Sequence, residues 1–444
     1  MELKVAKFGG SSLADAAQFE KVAAIIKADP RRVYVVPSAP GKRSYTDTKV
    51  TDMLYTLHQT AEDGEDITQP LKDVQERFEE IITGLGLDYD ISGEFEIIRE
   101  NLLAGASADY IASRGEYLSG LVLSRYIGYT FIDPATCIFF DEHGVFDQKT
   151  TDPVLREVLK SNLRAVIPGF YGALRNGEVK TFSRGGSDIT GSIVARAAQV
   201  ALYENWTDVS GFLMCDPCIV RNPRIIRSLT YHELRELSYM GATVLHEEAI
   251  FPVRQVGIPI NVRNTNNPCE KGTMIVRYTP DEDAAAVPIT GIAGKKNFLA
   301  ITIEKDMMNA QIGFGRKLLS VLENHGVSFE HMPSGIDTIS LVIDEKAIAG
   351  KLDAVLKDIR KECEPDLMDV THDLALIAIV GHAMQYRIGL AAKVLSALSA
   401  EGVNIRMLDQ GSSEVNIIIG VQEKDFETAI RAIYTAFVPE EASE

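Results

Sequence analysis

Cysteine is scarce in this chain: five residues in 444, an odd number and widely scattered. Cys137, Cys269 and Cys363 lie far apart and make no disulfide framework. Cys215 and Cys218 form one C-x-x-C, but a zinc site wants a second pair or histidines at ligand spacing, and none follows. Two unrelated cysteines in a turn is the simpler reading, so no protein-held metal is expected, and a reducing cytoplasm is the expected compartment. No apolar run approaches the length of a membrane helix. The opening MELKVAKFGGSS turns polar too soon for a secretory signal. Positive charge is also short: 45 Lys and Arg against 63 Asp and Glu, a net −18. That argues against nucleic acid or an anionic membrane as partner, since both are held by clustered cations. Neither the Walker A spacing nor G-x-G-x-x-G after a strand occurs, and no nucleophile–base triad is defensible.

What is present is an ordinary globular composition, 45% apolar and 24% charged. The length suggests about three domains at roughly 150 residues each. The last third repeats itself. A shift of 76 residues aligns 301–343 with 377–419 without a gap and makes 13 of 43 positions identical, among them Gly313/Gly389, Lys317/Lys393 and Gly326/Gly402. Such self-similarity marks a duplicated module. Each copy reads strand, helix, strand, strand, helix, with a possible final strand. The first copy's middle strand is expected at Val327–Met332 and the second's at Val403–Leu408. Such a module packs against a partner or senses a small ligand; the Ser- and Gly-bearing turn in both copies favours sensing.

The first 290 residues alternate strands and helices, the mark of an α/β fold with a mainly parallel sheet. Ligands in such folds gather at the carboxyl ends of strands. Lys7-Phe8-Gly9-Gly10-Ser11-Ser12 follows the first strand and precedes a helix. Glycines there let the backbone approach an anion, and Lys7 adds a full charge. A plain tight turn remains the bland alternative. Ser183-Arg184-Gly185-Gly186-Ser187-Asp188 repeats the layout, with Asp188 suited to cap the helix or sit in its first turn. Thr207-Asp208-Val209-Ser210-Gly211 ends a third strand, and Glu116 lies in a helical stretch, where it could meet an ammonium or only solvent. Cations beside glycine turns suit phosphoryl transfer, which needs positioned charge and a metal on the phosphates rather than a protein nucleophile.

As an ordered set, KFGGSS (7–12), RGE (114–116), SRGGSD (183–188), WTDVSG (206–211) and GATVLHEEAI (241–250) resemble aspartokinases, and the repeats resemble that family's two ACT domains. VSFEHMPSG (327–335) and NIRMLDQGSSEVNI (404–417) are similarly family-like. The resemblance implies an amino-acid-kinase three-layer α/β sandwich over 1–290. Two α+β ACT (βαββαβ) domains would follow at 297–370 and 371–444, an arrangement that allows an exchange of strands between them. It implies transfer of the ATP γ-phosphoryl group to the side-chain carboxylate of L-aspartate, with Mg2+, as the first step toward lysine, threonine and methionine.

By the same resemblance, Lys7, Arg184 and Asp188 would be catalytic, and Gly9, Gly10, Ser11, Thr207, Asp208, Gly211 and Asp216 would surround the nucleotide. Ser38, Thr51, Glu116, Phe170, Arg184, Gly185 and Ser187 would hold aspartate, beside a loop at 41–50 that looks longer than usual. The effector, lysine or threonine or both, would touch Met308, Gly313, Phe314, Ser328, Phe329, Glu330, Ser334 and Gly335 in the first copy. In the second it would touch Asn404, Ile405, Gln410, Ser412 and Ser413. A homodimer or larger homo-oligomer paired through the ACT domains is implied. Leu213, Cys218 and Thr243 stand where the family often has Tyr, Arg and Lys near the nucleotide. They motivate one alternative, a non-catalytic amino-acid-sensing paralogue; a kinase of another acidic amino acid is the other.

Overall fold

The computed structural model describes residues 2–183, 185–242, 245, 247–278, 288–381, 384, 387–411 and 415–438. They fall into two compact units. The first holds Met1–Phe212, Ile225–Leu234 and Thr243–Thr279; the second holds Leu213–Arg224, Arg235–Ala242 and Pro280–Glu444.

The first unit opens with β1 (Lys4–Phe8), α1 (Ala16–Ala28) and β2 (Arg32–Pro37). Four helices follow: α2 (Val50–Glu62), α3 (Thr68–Gly84), α4 (Ser92–Leu103) and α5 (Ala108–Ile127). Next come β3 (Thr130–Phe131), β4 (Phe139–Phe140), α6 (Gln148–Ser161), β5 (Ala165–Val166), β6 (Tyr171–Leu174) and β7 (Val179–Thr181). The chain continues through α7 (Gly186–Ala198), β8 (Leu202–Thr207), β9 (Ser228–Thr230), α8 (Tyr231–Tyr239), α9 (Glu247–Val256), β10 (Ile260–Asn264) and β11 (Thr273–Val276).

Eight strands form one sheet in the order β3-β5-β2-β1-β8-β10-β11-β9. Every pairing in it is parallel except β10 with β11. The central strands are buried along almost their whole length, so both faces need cover, as parallel sheets do. Helices α1–α5 build one large apolar layer with β1 and β2, while α7 packs on β1, β2 and β8 with α6 and α9 beside it. Asp15 caps α1 by accepting from Gln18 N at 2.9 Å, and Asp147 caps α6 through Thr150 N at 3.1 Å.

A charged knot lies inside this apolar frame. Glu204 on β8 is fully buried. It accepts from Arg32 Nε at 2.6 Å, Lys4 Nζ at 2.8 Å and Trp206 Nε1 at 2.9 Å. Burial pushes the Glu204 carboxyl up, but the Arg32 and Lys4 donors outweigh it and hold the group below its usual range.

The second unit contains β12 (Gly291–Glu304), α10 (Phe314–Asn324), β13 (Thr338–Asp344), α11 (Glu345–Ile348), α12 (Leu352–Cys363) and β14 (Leu367–Val380). It ends with α13 (Leu390–Ala400), β15 (Ile405–Asp409), β16 (Asn416–Gln422) and α14 (Phe426–Phe437). One sheet in the order β13-β12-β14-β16-β15 joins both copies. The duplication is visible in backbone angles: Gly313 and Gly389 precede matching helices with φ of 84° and 89°, and Gly326 and Gly402 follow them at 59° and 69°. Only glycine visits this left-handed region without strain.

One feature differs from the sequence reading, and the strand exchange that reading allowed for between the repeats is present. Val327–Met332 is not a strand; isolated bridges join His331 to Val342 and Ser334 to Ile339. Pro333, which has no N–H to give, interrupts the pairing, and the Glu330 and His331 side chains turn away to Tyr239 and Asp409. The exchange shows in the strand pairing. Phe298–Glu304 pairs with β13, but Gly291–Lys295 pairs with Leu376–Val380. The second copy's sheet is therefore extended by residues that precede the first copy. Left-handed Asn297 and Asp373 mark the register change. Among the described residues, no helix is long and apolar enough to cross a membrane.

The Glu204 knot sets a stability test. Glu204→Gln leaves Arg32 buried without a counter-charge, which costs about 3 kcal/mol, or roughly 5–10 °C in the first unit's calorimetric transition. An unchanged transition would show that the ion pair is dispensable.

Candidate functional site

The carboxyl ends of β1, β2 and β8 meet around a cavity of about 620 Å3. Gly9, Gly10 and Ser11 come from the turn after β1, Ser38–Ser44 and Lys49 from the loop after β2, and Thr207 and Asp208 from the end of β8. Thr51 on α2 and Glu116 on α5 complete the wall. Eight of the residues expected at the site from sequence, from Gly9 to Asp208, thus share one cleft. Gly41 N donates to Gly10 O at 2.8 Å, and a Cβ on Gly41 would stand 2.6 Å from the Gly10 carbonyl carbon. The two turns touch only because both residues lack side chains.

Lys7 lies just under this wall. It is 7% exposed, and its ammonium is 3.7 Å from where a Gly9 Cβ would be. Its Nζ is 2.6 Å from Asp188 Oδ1, and Asn205 Nδ2 donates to the same oxygen at 2.7 Å. Asn205 is the register partner of Lys7 on β8, so sheet pairing alone places it there.

Asp188 sits in the first turn of α7, and Gly185, at φ 57°, is the N-cap. The turn is set by crowding. A Cβ on Gly169 would be 2.5 Å from Ser187, and one on Gly186 would collide with the Phe170 ring. Phe170 itself is left-handed at φ 80°, an expensive conformation for an aromatic residue. It is held by its N–H to Thr190 Oγ1 at 3.1 Å and by Phe182 N to its carbonyl at 2.9 Å. Phe170, Gly185 and Ser187 thus form the junction that aims Asp188. Arg184 lies outside the described residues.

Glu116 is 5% exposed, and its Oε2 has no hydrogen-bond partner among the described residues. Burial lifts its pKa to about 8, against the opposing pull of backbone donors at Ala39 and Glu116 and of the Lys7 charge. At the β8 end, Thr207 Oγ1 donates to Asp208 Oδ1 at 3.1 Å. Gly211 is buried at φ 120°, where a Cβ would collide with Thr273 Oγ1, so its place in the structure is a packing one.

Residues 2–264 match the model of the amino acid kinase family, and residues 377–437 match an ACT domain model. Aspartokinase 3 of Bacillus subtilis is 40% identical to this chain, and the match covers 98% of each. The chain belongs to the aspartokinase family. It is an aspartate kinase with the amino-acid-kinase fold followed by ACT architecture, a class under allosteric control. The crystal structure of Clostridium acetobutylicum aspartate kinase superposes with a TM-score of 0.90 at 52% identity, covering 98% of this chain and 100% of that one. E. coli aspartokinase III in complex with lysine and aspartate (T-state) shares the fold, with a TM-score of 0.74 at 24% identity over 99% of this chain and 100% of that one.

In the second unit, Leu213, Asp216 and Cys218 fall in the Leu213–Arg224 segment. Asp216 Oδ1 there accepts from Cys218 N at 2.8 Å. Thr243, Ser412 and Ser413 lie outside the described residues. Met308 and Phe314 point into the first copy's apolar core, which leaves mainly their backbone for a ligand. Asn309 N donates to Ile336 O at 3.2 Å, so the Met308–Gly313 turn and the Ser334–Gly335 turn share one end of the module. Glu330, expected to face an effector, accepts from the Tyr239 hydroxyl. Ser328, Phe329, Asn404 and Gln410 are exposed, and Ile405 is half-buried on β15. The sequence reading missed Asn205, Lys42 and Lys49. Asn205 had a signal, since it immediately precedes Trp206 at a strand end beside β1.

Glu116 generates a pH test. Its folded-state pKa of about 8 lies above the ordinary 4.5. The native state therefore keeps a proton that the unfolded chain loses, and stability falls as pH rises across that window. Glu116→Gln removes the effect. The melting-temperature difference, variant minus parent, should grow more positive from pH 5 to about pH 8.5. A difference constant with pH would contradict the buried, protonated state.

Proposed function

We propose that this aspartate kinase transfers the ATP γ-phosphoryl group to the side-chain carboxylate of L-aspartate, giving 4-phospho-L-aspartate. The single observation that carries the reading is the pair of buried Lys7 with half-buried Asp188, beneath two touching glycine turns. In the step, a β-carboxylate oxygen of aspartate bonds to the γ-phosphorus. The bond from that phosphorus to the bridging oxygen breaks, and its electron pair stays with ADP. Both reactants are anions, so the protein's task is to bring them together and neutralise the moving charge.

Lys7 supplies a fixed cation to the phosphoryl group, and Asp188 with Asn205 holds it in place. Gly9, Gly10 and Ser11 let the phosphates approach the backbone, with Thr207 and Asp208 at the nucleotide's other side. Ser38 and Thr51 flank the aspartate carboxylates, and Arg184 takes the α-carboxylate as a planar fork. Glu116, protonated when the cleft is empty, gives up its proton as it receives the aspartate ammonium. Asp208, the exposed carboxylate lining the cleft, would hold Mg2+ beside the substrate phosphates. There it would supply charge neutralisation on the phosphates.

We assign the step to the start of lysine, threonine and methionine synthesis in the cytoplasm, with lysine or threonine as feedback effector on the second unit. A homodimer paired through the repeats is supported by Ile312 and Ile388, which are fully exposed at matching points of the two copies. Inhibition requires the effector to favour one quaternary state over another.

Hydroxylamine trapping of the acyl phosphate from Mg-ATP and aspartate tests the reaction, run with lysine, threonine and both. No hydroxamate under any condition would sink it, and preference for glutamate would overturn the substrate assignment. Lys7→Ala is expected to fail mainly in kcat and Arg184→Ala mainly in the aspartate KM; steady-state kinetics showing the reverse would refute those roles.

A further inference from the structure

The loop between β2 and α2 is held by a buried residue that does not itself line the cleft. Arg77 on α3 is 3% exposed. Its Nη1 donates to Asp47 Oδ2 at 2.7 Å, and its Nη2 donates to Gly41 O at 2.7 Å and Ala14 O at 3.0 Å. One guanidinium therefore ties the loop's start, its far end and the segment after the first glycine turn. Asp47 also receives Arg43 N at 2.8 Å, Nε at 3.0 Å and Nη2 at 3.1 Å, while Arg43 Nη1 reaches Glu80 at 2.7 Å. The Arg43 charge is thus spoken for within the clasp.

Lys42 and Lys49 are different. Both line the cavity, both are exposed, and neither makes an ion pair with any described residue. In a chain where 63 acids outnumber 45 bases, two unpaired lysines at one cavity are unexpected. Lys49 is also placed against local preference. It is the N-cap of α2 and makes no side-chain cap bond, at a position that favours Ser, Thr, Asp or Asn and disfavours a cation. Local rules broken without local compensation point to function. Lys42 follows Gly41, which touches Gly10, and Lys49 precedes Thr51 by two residues.

We propose that Lys42 and Lys49 contact the bound anions, Lys42 on the nucleotide side and Lys49 on the aspartate side, and that Arg77 is the positioning residue for their loop. The proposal rests on reading the cavity as the aspartate–ATP cleft. The loop then supplies the local positive charge that the acidic chain otherwise lacks.

Full-chain variants test it in steady state. Lys49→Ala should raise the aspartate KM about tenfold with kcat within about twofold, as expected for uniform binding to a charged group. Lys42→Ala should do the same to the ATP KM. Arg77→Ala should raise both, Arg77→Lys should recover part of the loss, and Asp47→Asn serves if Arg77→Ala fails to fold. In the Arg77→Ala background, adding Lys49→Ala should change the aspartate KM little, because the lysine is already misplaced. Rising salt should weaken aspartate binding less in Lys49→Ala than in the parent. Unchanged KM values in the two lysine variants, or Arg77 and Lys49 effects that simply multiply, would overturn the proposal. A parent enzyme that forms no hydroxamate would instead overturn the cleft reading itself.

Discussion

Lys7 carries an ammonium into a nearly solvent-free position at the end of a central strand, and that placement constrains much of the first unit. A buried cation needs a partner. The partner, Asp188, comes from α7, a helix on the other side of the glycine turn in sequence and in the fold. Its carboxylate is fixed in turn by Asn205, which β8 delivers through sheet register. The first turn of α7 can point Asp188 there only because Gly185 is left-handed and Gly169 and Gly186 yield space to Ser187 and Phe170. Strain at Phe170 is the local cost of that geometry. The pair thus links β1, β8 and α7 at the place where anions would enter.

The net charge of −18 and the proposed anionic substrates look incompatible until the charges are located. Much of the acid lies on exposed helix faces, where ion pairs such as Lys72–Glu76 and Lys160–Glu157 contribute little. Asp188 and Asp47 are spent on holding cations in place around the cleft. Of the two carboxylates in the wall, Asp208 is exposed and Glu116 is kept neutral near pH 7 by burial. The cavity is therefore more positive than its residue list suggests, because one of its acids is switched off and Lys42 and Lys49 are free.

Features carried by contiguous residues were legible in the sequence. The glycine turns at 9–10 and 185–186, the parallel α/β alternation and the 76-residue repeat all rest on local pattern. Even the matching left-handed glycines of the two repeats were visible as identities. What escaped depends on sequence-distant pairings. Asn205 matters because β8 lies beside β1, and Arg77 matters because α3 packs over a loop thirty residues earlier. An exchange of strands between the repeats was allowed for, but that 291–295 is the segment joining the second copy follows from a sheet edge that sequence order does not fix. The expected strand at 327–332 failed for a reason written next to it, Pro333, but its outward bonds to Tyr239 and Asp409 could not be read from pattern.

The central claim is that Lys7 and Asp188 act as one unit. A double-mutant cycle on kcat, with Lys7→Met, Asp188→Asn and both together, tests this most directly. If the carboxylate works by holding the ammonium, the double variant should be no slower than Lys7→Met alone. Losses that multiply would show two independent roles and contradict the account.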